Sequence, residues 1–292
     1  MRFLVTGALG QLGGHLVDEL DAHARHEVLG LDRPGAAGPG ALVGVDLADH
    51  DEVADLVGSF RPDVVIHAAA CTDVDRCETD PDAAHRDNVA ATESVAAAAR
   101  TVGAHVVFVS TDYVFDGTKP GPYVETDVPN PQSVYGRTKL AGESAMDPAW
   151  TVARTSWLCS ARGANMVRTI LRLSEGDAEL RFVDDQRGHP TFAADLAPML
   201  LRLGEDRVAG IVHTTNQGAV TWAGFARAVL LAADRNPDRV VPIATAELQP
   251  PRAAPRPANS VLADAAWRAH GYAASRDFRE PLAEVVRELL DR

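Results

Sequence analysis

Short apolar runs alternate with longer segments of helical periodicity along the first half of the chain. The apolar runs predict buried strands at Phe3–Val5, Glu27–Leu31, Val64–Ile66, Val106–Val109 and Thr151–Ala153. The segments between them predict helices near Leu16–Leu20, from Asp49 to about Phe60, from Pro81 to about Arg100, and around Tyr135. Continuous apolar strands separated by helices are typical of a parallel sheet covered on both faces. We therefore predict an α/β fold built on a Rossmann-type, doubly wound parallel sheet.

The second half of the chain has a looser pattern. Helices are predicted near residues 165–175, 193–203 and 222–233, short strands near Leu180–Val183, Ile211–Thr214 and Val240–Ile243, and a final helix after the proline- and arginine-rich stretch Gln249–Pro257. We predict that residues 1–157 form a dinucleotide-binding Rossmann domain, to which part of the C-terminal half returns. Residues 158–292 would mainly form a smaller α+β substrate lobe at the carboxyl edge of the sheet, where ligands of α/β proteins bind.

The turn after the first strand carries glycines at positions 7, 10 and 13. Such glycines suit a tight turn, a close backbone approach to a pyrophosphate, and close packing of a helix on a strand. Free N–H groups at the start of the next helix would attract the phosphates. The second strand ends in Asp32, about 20 residues after the last glycine, where an acidic residue binds the adenosine ribose. The alternative, a glycine turn without a ligand, is disfavoured by this flanking strand, helix and acid.

The residue after Asp32 leaves the choice of dinucleotide open. The carboxylate suits the ribose of NADH and repels a 2′-phosphate, whereas the guanidinium of Arg33 would bind that phosphate.

Tyr135 and Lys139 lie four positions apart, so on a helix they share one face. A neighbouring ammonium favours the phenolate and lowers the pKa of a tyrosine toward the neutral range, which suits proton transfer to or from an alcohol or ketone oxygen. Alone, the spacing also fits a solvated helix face. Thr111 ends a predicted strand, where its hydroxyl would bind a substrate oxygen beside Tyr135 or cap the following turn.

Composition limits the range of partners and compartments. The net charge of −13 disfavours a general nucleic-acid or anionic-membrane surface. No apolar run approaches the roughly 18–20 residues of a membrane span, and the first residues predict a core strand rather than a signal peptide. Cys71, Cys77 and Cys159 lack metal-ligand spacing, so we predict no metal site, and their odd number suits a reducing cytoplasm.

These residues together carry a family resemblance that extends over nearly the whole chain. The chain resembles the extended short-chain dehydrogenase/reductase superfamily and, more narrowly, the dTDP-4-dehydrorhamnose reductase family. The resemblance rests on the stretches Val5–Gly13, Ser110–Gly117, Tyr135–Glu143, Arg154–Trp157, Asp185–Thr191 and Arg256–Ser260.

The resemblance implies reduction of the C4 ketone of a dTDP-linked 6-deoxy-4-ketohexose to give dTDP-L-rhamnose, with NADPH as cofactor and NADH as an accepted substitute. It implies that Tyr135 protonates the forming alkoxide, that Lys139 lowers the Tyr135 pKa and binds the nicotinamide ribose, and that Thr111 holds the carbonyl oxygen. A homodimer is a further expectation.

The resemblance also assigns binding residues. The cofactor contacts are Gly7, Gly10, Gln11, Leu12, Gly13, Asp32, Arg33, Asp46, Leu47, Ala68, Ala69, Ala70 and Asn88, together with Tyr135 and Lys139. The substrate contacts are Thr72, Thr111, Tyr113, Phe115, Trp157, Arg256 and Asn259. Ordinary packing is the alternative for Phe115, and a solvated loop position is the alternative for Arg256.

Three hypotheses follow from this resemblance. Besides the reductase, the chain could be another nucleotide-sugar enzyme of the superfamily, such as a 4-epimerase or a reductase of a related deoxyketosugar. The stretch Leu158–Ser160 departs from the aromatic and glycine positions expected there, which leaves the exact sugar open. A 4,6-dehydratase is disfavoured because Tyr113, not a second carboxylate, follows Asp112. A non-catalytic regulatory subunit of the same fold is the third hypothesis, and the Thr111, Tyr135 and Lys139 set argues against it.

Overall fold

A computed structural model describes residues 1–22, 25–38 and 40–291 of the chain. Its strands are β1 Arg2–Thr6, β2 Glu27–Asp32, β3 Leu42–Gly44, β4 Val64–His67, β5 His105–Thr111, β6 Thr151–Thr155, β7 Leu158–Cys159, β8 Leu180–Val183, β9 Arg187–Gly188, β10 Thr191–Phe192, β11 Gly210–His213, β12 Val220–Thr221 and β13 Val240–Ile243. Its α-helices are α1 Gln11–Asp21, α2 His50–Phe60, α3 Val74–Thr79, α4 Pro81–His85, α5 Ala91–Val102, α6 Val134–Ser144, α7 Met166–Leu173, α8 Ala193–Glu205, α9 Trp222–Ala232, α10 Ala265–Ala269 and α11 Arg279–Leu290.

Seven strands form one parallel sheet in the order β11-β6-β5-β4-β1-β2-β3. Val5 in β1 lies opposite Gly30 in β2 and opposite Ile66 in β4. The strand order reverses between β1 and β4, because the chain builds outward from β1 in both directions. Open α/β sheets bind ligands at the carboxyl ends of the strands beside such a reversal. The predicted fold class is confirmed.

Helices cover both faces of this sheet. On one face, Leu16 of α1 and Leu200 of α8 pack against Phe3 and Val5. On the other face, Val53 of α2 and the alanines of α5 pack against Leu4. The Leu4 side chain points to the opposite face of the sheet from Phe3 and Val5. All these strand residues are fully buried, and a buried side chain of this size contributes about 1.5–3 kcal/mol.

A second core lies under helices α7, α9 and α11. It contains Ile170, Phe225, Val229, Phe278 and Val286, and the short parallel pair β8 and β13 packs against α9. Two other elements of the second half join the large sheet and its cover instead. Strand β11 pairs with β6, and helix α8 packs on α1. A division of the chain near residue 157 stays a prediction.

The helix predicted from Pro81 to about Arg100 is interrupted in the middle. Asp80 caps its start by accepting a hydrogen bond from the Ala83 N–H at 3.2 Å. A π-helical turn, Arg86–Ala90, then joins α4 to α5. Such turns are frequent at functional sites, and this one carries the predicted cofactor residue Asn88.

Bilayer crossing demands a long helix of strongly apolar character, and none of the helices in the described ranges meets that demand.

Candidate active site

The glycine-rich turn has the geometry that its glycines require. Gly7 adopts a φ of +68°, and a Cβ atom there would lie 3.0 Å from the Cα atom of Ala69. A Cβ atom on Gly13 would lie 2.0 Å from the carbonyl oxygen of Gly7, so α1 packs directly on the turn. Gly10 precedes α1 and offers no side-chain cap. The first-turn N–H groups of α1, at Gln11 and Leu12, are therefore suited to hold a phosphate group.

Asp32 connects this turn to the end of β2. Its carboxylate accepts hydrogen bonds from the backbone N–H groups of Leu9 and Arg33, both at 2.8 Å. The Arg33 side chain, by contrast, is 96% exposed, and its Nε atom lies 3.9 Å from the Asp32 carboxylate. Two of the acceptor positions of Asp32 are thus used within the protein, while the guanidinium beside it remains available to a ligand.

The predicted cofactor residues after β3 and β4 flank the same turn. Asp46 accepts a hydrogen bond from the Ala48 N–H at 3.0 Å and forms an ion pair with Arg86 of the π-helical turn. Leu47 packs against the core beneath α2. The Ala68–Ala70 backbone passes close to Gly7, as the Gly7 contact above indicates.

Asn88 is buried and holds its neighbours in place. Its Oδ1 atom accepts a hydrogen bond from the Cys71 N–H at 2.7 Å, and its Nδ2 atom donates to the Cys71 carbonyl at 3.1 Å. The same Nδ2 atom donates to the Thr138 hydroxyl at 3.0 Å. Its amide thereby fixes the loop after β4 to helix α6.

Helix α6 is positioned by its N-terminal caps and by close packing. The Ser133 hydroxyl accepts a hydrogen bond from the Gly136 N–H at 3.1 Å, and the Glu78 carboxylate accepts one from the Val134 N–H at 2.9 Å. A Cβ atom on Gly142 would lie 2.7 Å from the Phe108 ring in β5. Because glycines face the sheet, α6 lies close enough to β5 to bring Tyr135 to the strand's carboxyl end.

The predicted catalytic hydroxyls meet at that end. The Thr111 hydroxyl lies close enough to the Tyr135 phenol to lower its pKa. Thr111 also accepts a hydrogen bond from the Tyr113 N–H at 3.2 Å, so it caps the following turn as well. Tyr113 lies against Tyr135 with ring centroids 5.7 Å apart. Both tyrosine rings and the threonine therefore converge on one position.

Burial controls the protonation of this site. Burial raises the pKa of Tyr135, the Thr111 hydrogen bond opposes that rise, and the Asp112 carboxylate adds to it. Burial also lowers the pKa of Lys139 to about 7, against the effect of Glu143. Lys139 is not among the groups that set the Tyr135 pKa, so the predicted lowering by Lys139 is not observed. The physical reason is that desolvation of both groups dominates, so the phenol keeps its proton at neutral pH.

Lys139 contacts a ring rather than a carboxylate. Its Nζ atom lies 4.1 Å from the centroid of the Phe108 ring. Across the described residues, the ammonium donates no hydrogen bond to another side chain or carbonyl. Its donors are therefore available to an added ligand.

Three predicted substrate residues serve the packing of the protein. Phe115 is 1% exposed and stacks on Tyr123 with centroids 4.1 Å apart, which favours the packing alternative, and its contact with a sugar stays a prediction. The Asn259 amide donates to the carbonyl groups of Lys119 and Gly121 at 2.7 and 3.0 Å. It thereby holds the loop that precedes Tyr123.

Arg256, the third of these residues, is occupied by an acidic partner. Its guanidinium forms a bidentate ion pair with Asp75 of α3, with distances of 2.9 and 2.8 Å. A diphosphate would have to compete with this carboxylate for the same donors. Thr72, in the loop before α3, is exposed.

Trp157 has a strained backbone and an aromatic partner that the sequence did not reveal. Its φ is +44°, a left-handed value that is unusual for a bulky residue. Its ring stacks on Trp222 of α9, with centroids 3.6 Å apart and an interplanar angle of 7°. The pair joins the end of β6 to the second core.

Two buried charged groups beside the site were missed. Asp112 is buried; its Oδ1 atom accepts a hydrogen bond from Thr111 at 3.0 Å, and burial raises its pKa to about 6. Arg154 of β6 forms a bidentate ion pair with Glu143 of α6, at 2.9 and 2.6 Å, and Ser110 donates to the same carboxylate at 2.5 Å. An arginine within an apolar strand is itself a signal, because such a charge requires a buried partner.

The arrangement suits proton donation to an oxygen held at the carboxyl end of β5. A protonated phenol, a second hydroxyl and a cation lie next to a turn built for a dinucleotide. Within the described ranges, no three His, Cys, Asp or Glu side chains are grouped so that they could hold a metal ion.

Comparisons with known proteins agree with this geometry. The family described as the RmlD substrate binding domain matches residues 1–290. A dTDP-4-dehydrorhamnose reductase from Burkholderia thailandensis is 40% identical, with 100% of both chains covered. A Streptomyces antibioticus protein named a probable dTDP-4,6-dihydroxy-2-methyloxan-3-one 4-ketoreductase is also 40% identical, over 99% of this chain and 96% of the relative.

A solved structure is similar over the same extent. The dTDP-4-dehydrorhamnose reductase of Bacillus anthracis in complex with NADP is 33% identical and has a TM-score of 0.87. The match covers 98% of this chain and 99% of that chain.

Proposed function

Because the chain belongs to the RmlD substrate binding domain family, we propose that it is an oxidoreductase that uses NADPH to reduce the C4 ketone of a dTDP-linked 4-dehydro-6-deoxyhexose. The proposed substrate is dTDP-4-dehydro-L-rhamnose and the product is dTDP-L-rhamnose. The observation that carries the proposal is the position of Tyr135 beside Tyr113 and Thr111 at the carboxyl end of β5.

The residues of the turn fit a dinucleotide. Gly7, Gly10 and Gly13 allow the turn and the start of α1 to pack closely, so the N–H groups at the start of α1 can hold a pyrophosphate. The exposed Arg33 guanidinium supports NADPH over NADH, because Asp32 already binds two backbone N–H groups and the arginine is the partner for a 2′-phosphate. When bound, the cofactor would supply the hydride for the ketone.

The chain's own residues would supply the proton and hold the sugar. Thr111 would turn its hydroxyl proton from Asp112 to the C4 oxygen and so orient that oxygen toward Tyr135. Tyr135, which burial keeps protonated, would then give its phenolic proton to that oxygen as negative charge develops on it. Lys139 would bind a hydroxyl of the nicotinamide ribose and, in its charged form, stabilise the phenolate that remains. Tyr113 and Trp157 would contact the sugar ring.

A turnover assay tests this proposal directly. Incubation with NADPH and dTDP-4-dehydro-L-rhamnose should consume one reduced nicotinamide for each dTDP-L-rhamnose formed. Sugar turnover without net oxidation of NADPH would instead indicate an epimerase. Binding of NADPH without any turnover would indicate a regulatory subunit.

A second candidate is the reduction of a related dTDP-linked deoxyketosugar. The Streptomyces antibioticus relative, named for a different 4-ketoreduction, is as similar to the chain as the Burkholderia protein. The unexpected stretch Leu158–Ser160 follows Trp157 at the end of β6, where the substrate would lie. The ratio of kcat/KM for the two sugars, measured in competition, decides between the candidates.

We also propose a cytoplasmic location, supported by the free thiols of Cys71, Cys77 and Cys159. A homodimer stays a prediction, which a measurement of molar mass in solution would test.

A further inference from the structure

His67 ends β4 directly between the cofactor turn and the catalytic helix, and it is buried. Its Nδ1 atom lies 2.7 Å from the Thr6 hydroxyl, in the strand that leads into the glycine-rich turn. Its Nε2 atom lies 3.0 Å from the Thr92 hydroxyl of α5. The imidazole therefore bridges β1, which leads into the glycine-rich turn, and α5, which follows the π-helical turn of Asn88.

The neighbouring hydrogen bonds fix the direction of this bridge. The Thr92 hydroxyl donates its only proton to the Asn88 carbonyl at 2.6 Å, so it must accept from the His67 Nε2–H. Burial lowers the pKa of His67 to about 3, with a smaller effect from Lys139, so the ring is neutral and Nδ1 is an acceptor. The Thr6 hydroxyl then donates to Nδ1 and accepts from the Ala69 N–H at 3.1 Å.

Every donor and acceptor in this chain of hydrogen bonds has one partner. It runs from the Ala69 N–H through Thr6, His67 and Thr92 to the Asn88 carbonyl. It thus joins the loop after β4 to the π-helical turn, whose Asn88 amide holds both the backbone of that loop and α6. On the premise of the proposed function, we propose that His67 is a positioning residue, which sets the glycine-rich turn and the Asn88 turn at the spacing that NADPH requires.

The same sheet contains a matched control. His105, at the amino end of β5, is also buried and bonds through Nε2 to the Thr151 hydroxyl at 2.9 Å. Thr151 in turn donates to the Val208 carbonyl. In both systems an imidazole Nε2 bonds to a threonine hydroxyl that donates to a carbonyl group, but the second system lies at the amino ends of the strands, away from the cofactor turn.

The test compares the same substitution at His67 and at His105. His67→Phe, which removes both hydrogen bonds of the ring, should raise the Kd for NADPH about ten-fold, and His67→Gln, which keeps the Nε2–H donor, should recover most of that loss. His105→Phe should lower the melting temperature without changing the Kd. If His67→Phe fails to fold, Thr92→Val and Thr151→Val repeat the comparison with smaller changes.

The role of His67 would be overturned if His67→Phe and His105→Phe bind NADPH with the same Kd. It would also be overturned if His67→Gln binds NADPH no more tightly than His67→Phe. The Kd is measured without sugar, so the comparison stays meaningful if the wild-type protein binds NADPH but fails to reduce the dTDP sugar. That second result would contradict the proposed function alone.

A pair of thiols beside Tyr135 carries an independent inference. The Cys77 Sγ atom of α3 lies 3.7 Å from the Cys71 Sγ atom in the loop after β4. Cys77 is fully buried in a cluster with Tyr135, whereas Cys71 is half-buried and has both its backbone polar groups held by Asn88. A disulfide bond of about 2.05 Å would require the two sulfur atoms to approach by about 1.7 Å.

We infer that Cys71 and Cys77 are a site of reversible oxidation that lowers catalytic activity. With hydrogen peroxide as the oxidant, the Cys71 thiolate would attack a peroxide oxygen and give a sulfenic acid and water. Burial raises the pKa of Cys77 to about 12, so its thiol would pass its proton to the leaving hydroxide as its sulfur attacks the Cys71 sulfur, which forms the S–S bond and releases a second water. Two thiol protons and two electrons thus leave the protein, and the closure pulls on the loop between β4 and α3 beside Tyr135.

Intact mass and activity test this site together. Peroxide-treated protein should lose two hydrogen atoms in mass and several-fold in kcat, and dithiothreitol should restore both. Cys71→Ser and Cys77→Ser should resist both changes relative to their own untreated activity, while Cys159→Ser should respond like the wild-type protein. Retention of all three thiols, or disulfide formation without a change in kcat, would overturn the inference.

Discussion

A Cβ atom on Gly136 would lie 2.2 Å from the carbonyl oxygen of Tyr113. Gly136 directly follows Tyr135 in the first turn of α6, and Tyr113 follows the strand end that carries Thr111. The absence of a side chain at this one position allows the catalytic helix to approach the end of β5. The contact between Tyr135 and Thr111 depends on that approach.

Gly136→Ala should therefore lower kcat at least about ten-fold and also lower the free energy of unfolding, because α6 must move away from the Tyr113 carbonyl. Gly58 in α2 is the matched control, since a Cβ atom there would meet no other atom within 4 Å. Gly58→Ala should stabilise the protein by roughly 0.5–1 kcal/mol through helix propensity and leave kcat unchanged. Steady-state kinetics and urea unfolding measure both. Similar kinetics for the two variants would contradict the packing argument.

Tyr135→Phe should lower kcat by roughly 10²–10⁴ with little change in the Kd for NADPH, because it removes only the donated proton. The measurement is steady-state reduction of the dTDP sugar together with cofactor titration by fluorescence. Tyr272→Phe, which removes a hydroxyl bonded to Asp206 at the end of α8, is the control and should keep normal turnover. Near-normal turnover by Tyr135→Phe would remove it from the proton transfer.

The arrangement of the sheet could be predicted from the sequence because continuous apolar strands and glycine spacing are local signals. The strands β8 and β13 even have the predicted bounds. The sequence could not supply contacts between distant elements. The stacking of Trp157 on Trp222 and the pairing of Arg154 with Glu143 depend on how elements pack, and no periodicity reports them.

The same limit applies to individual site residues. The resemblance implies a sugar contact by Phe115, whereas the structure shows its ring stacked on Tyr123, from the segment between β5 and α6. The spacing of Tyr135 and Lys139 predicts a lowered tyrosine pKa. The sequence shows that spacing and not the burial of the two groups, and burial decides both pKa values.

Stability should depend on the protonation of Lys139. Burial lowers its pKa from 10.5 to about 7, so between these values the unfolded chain binds a proton that the folded protein does not. Linkage then requires the contribution of this group to the free energy of unfolding to rise as pH increases from about 7 to 10.5. Lys139→Met should remove that rise while leaving other titrations in place. Urea unfolding of both proteins across this range measures the difference, and parallel curves would show that Lys139 titrates normally.

Arg33→Ala should raise the Kd for NADPH about ten-fold while leaving that for NADH nearly unchanged, because only NADPH carries the 2′-phosphate. Asp32→Ala should act in the opposite sense and weaken NADH binding more than NADPH binding. Titration of each variant with NADPH and with NADH measures both effects. Equal losses of both cofactors in Arg33→Ala would place the arginine away from the ribose.

Trp157→Ala should raise KM for the dTDP sugar more than it lowers kcat, because the ring would hold the sugar without taking part in proton transfer. Loss of the stack on Trp222 also contributes to the change, since it loosens the junction between β6 and α9. Trp222→Ala separates the two effects, because it breaks the same stack but leaves the Trp157 ring in the chain. A sugar contact by Trp157 requires a larger KM change in Trp157→Ala than in Trp222→Ala at similar loss of stability. If the two variants change KM equally, Trp157 acts through packing, and the sugar must be held by other residues near Tyr113.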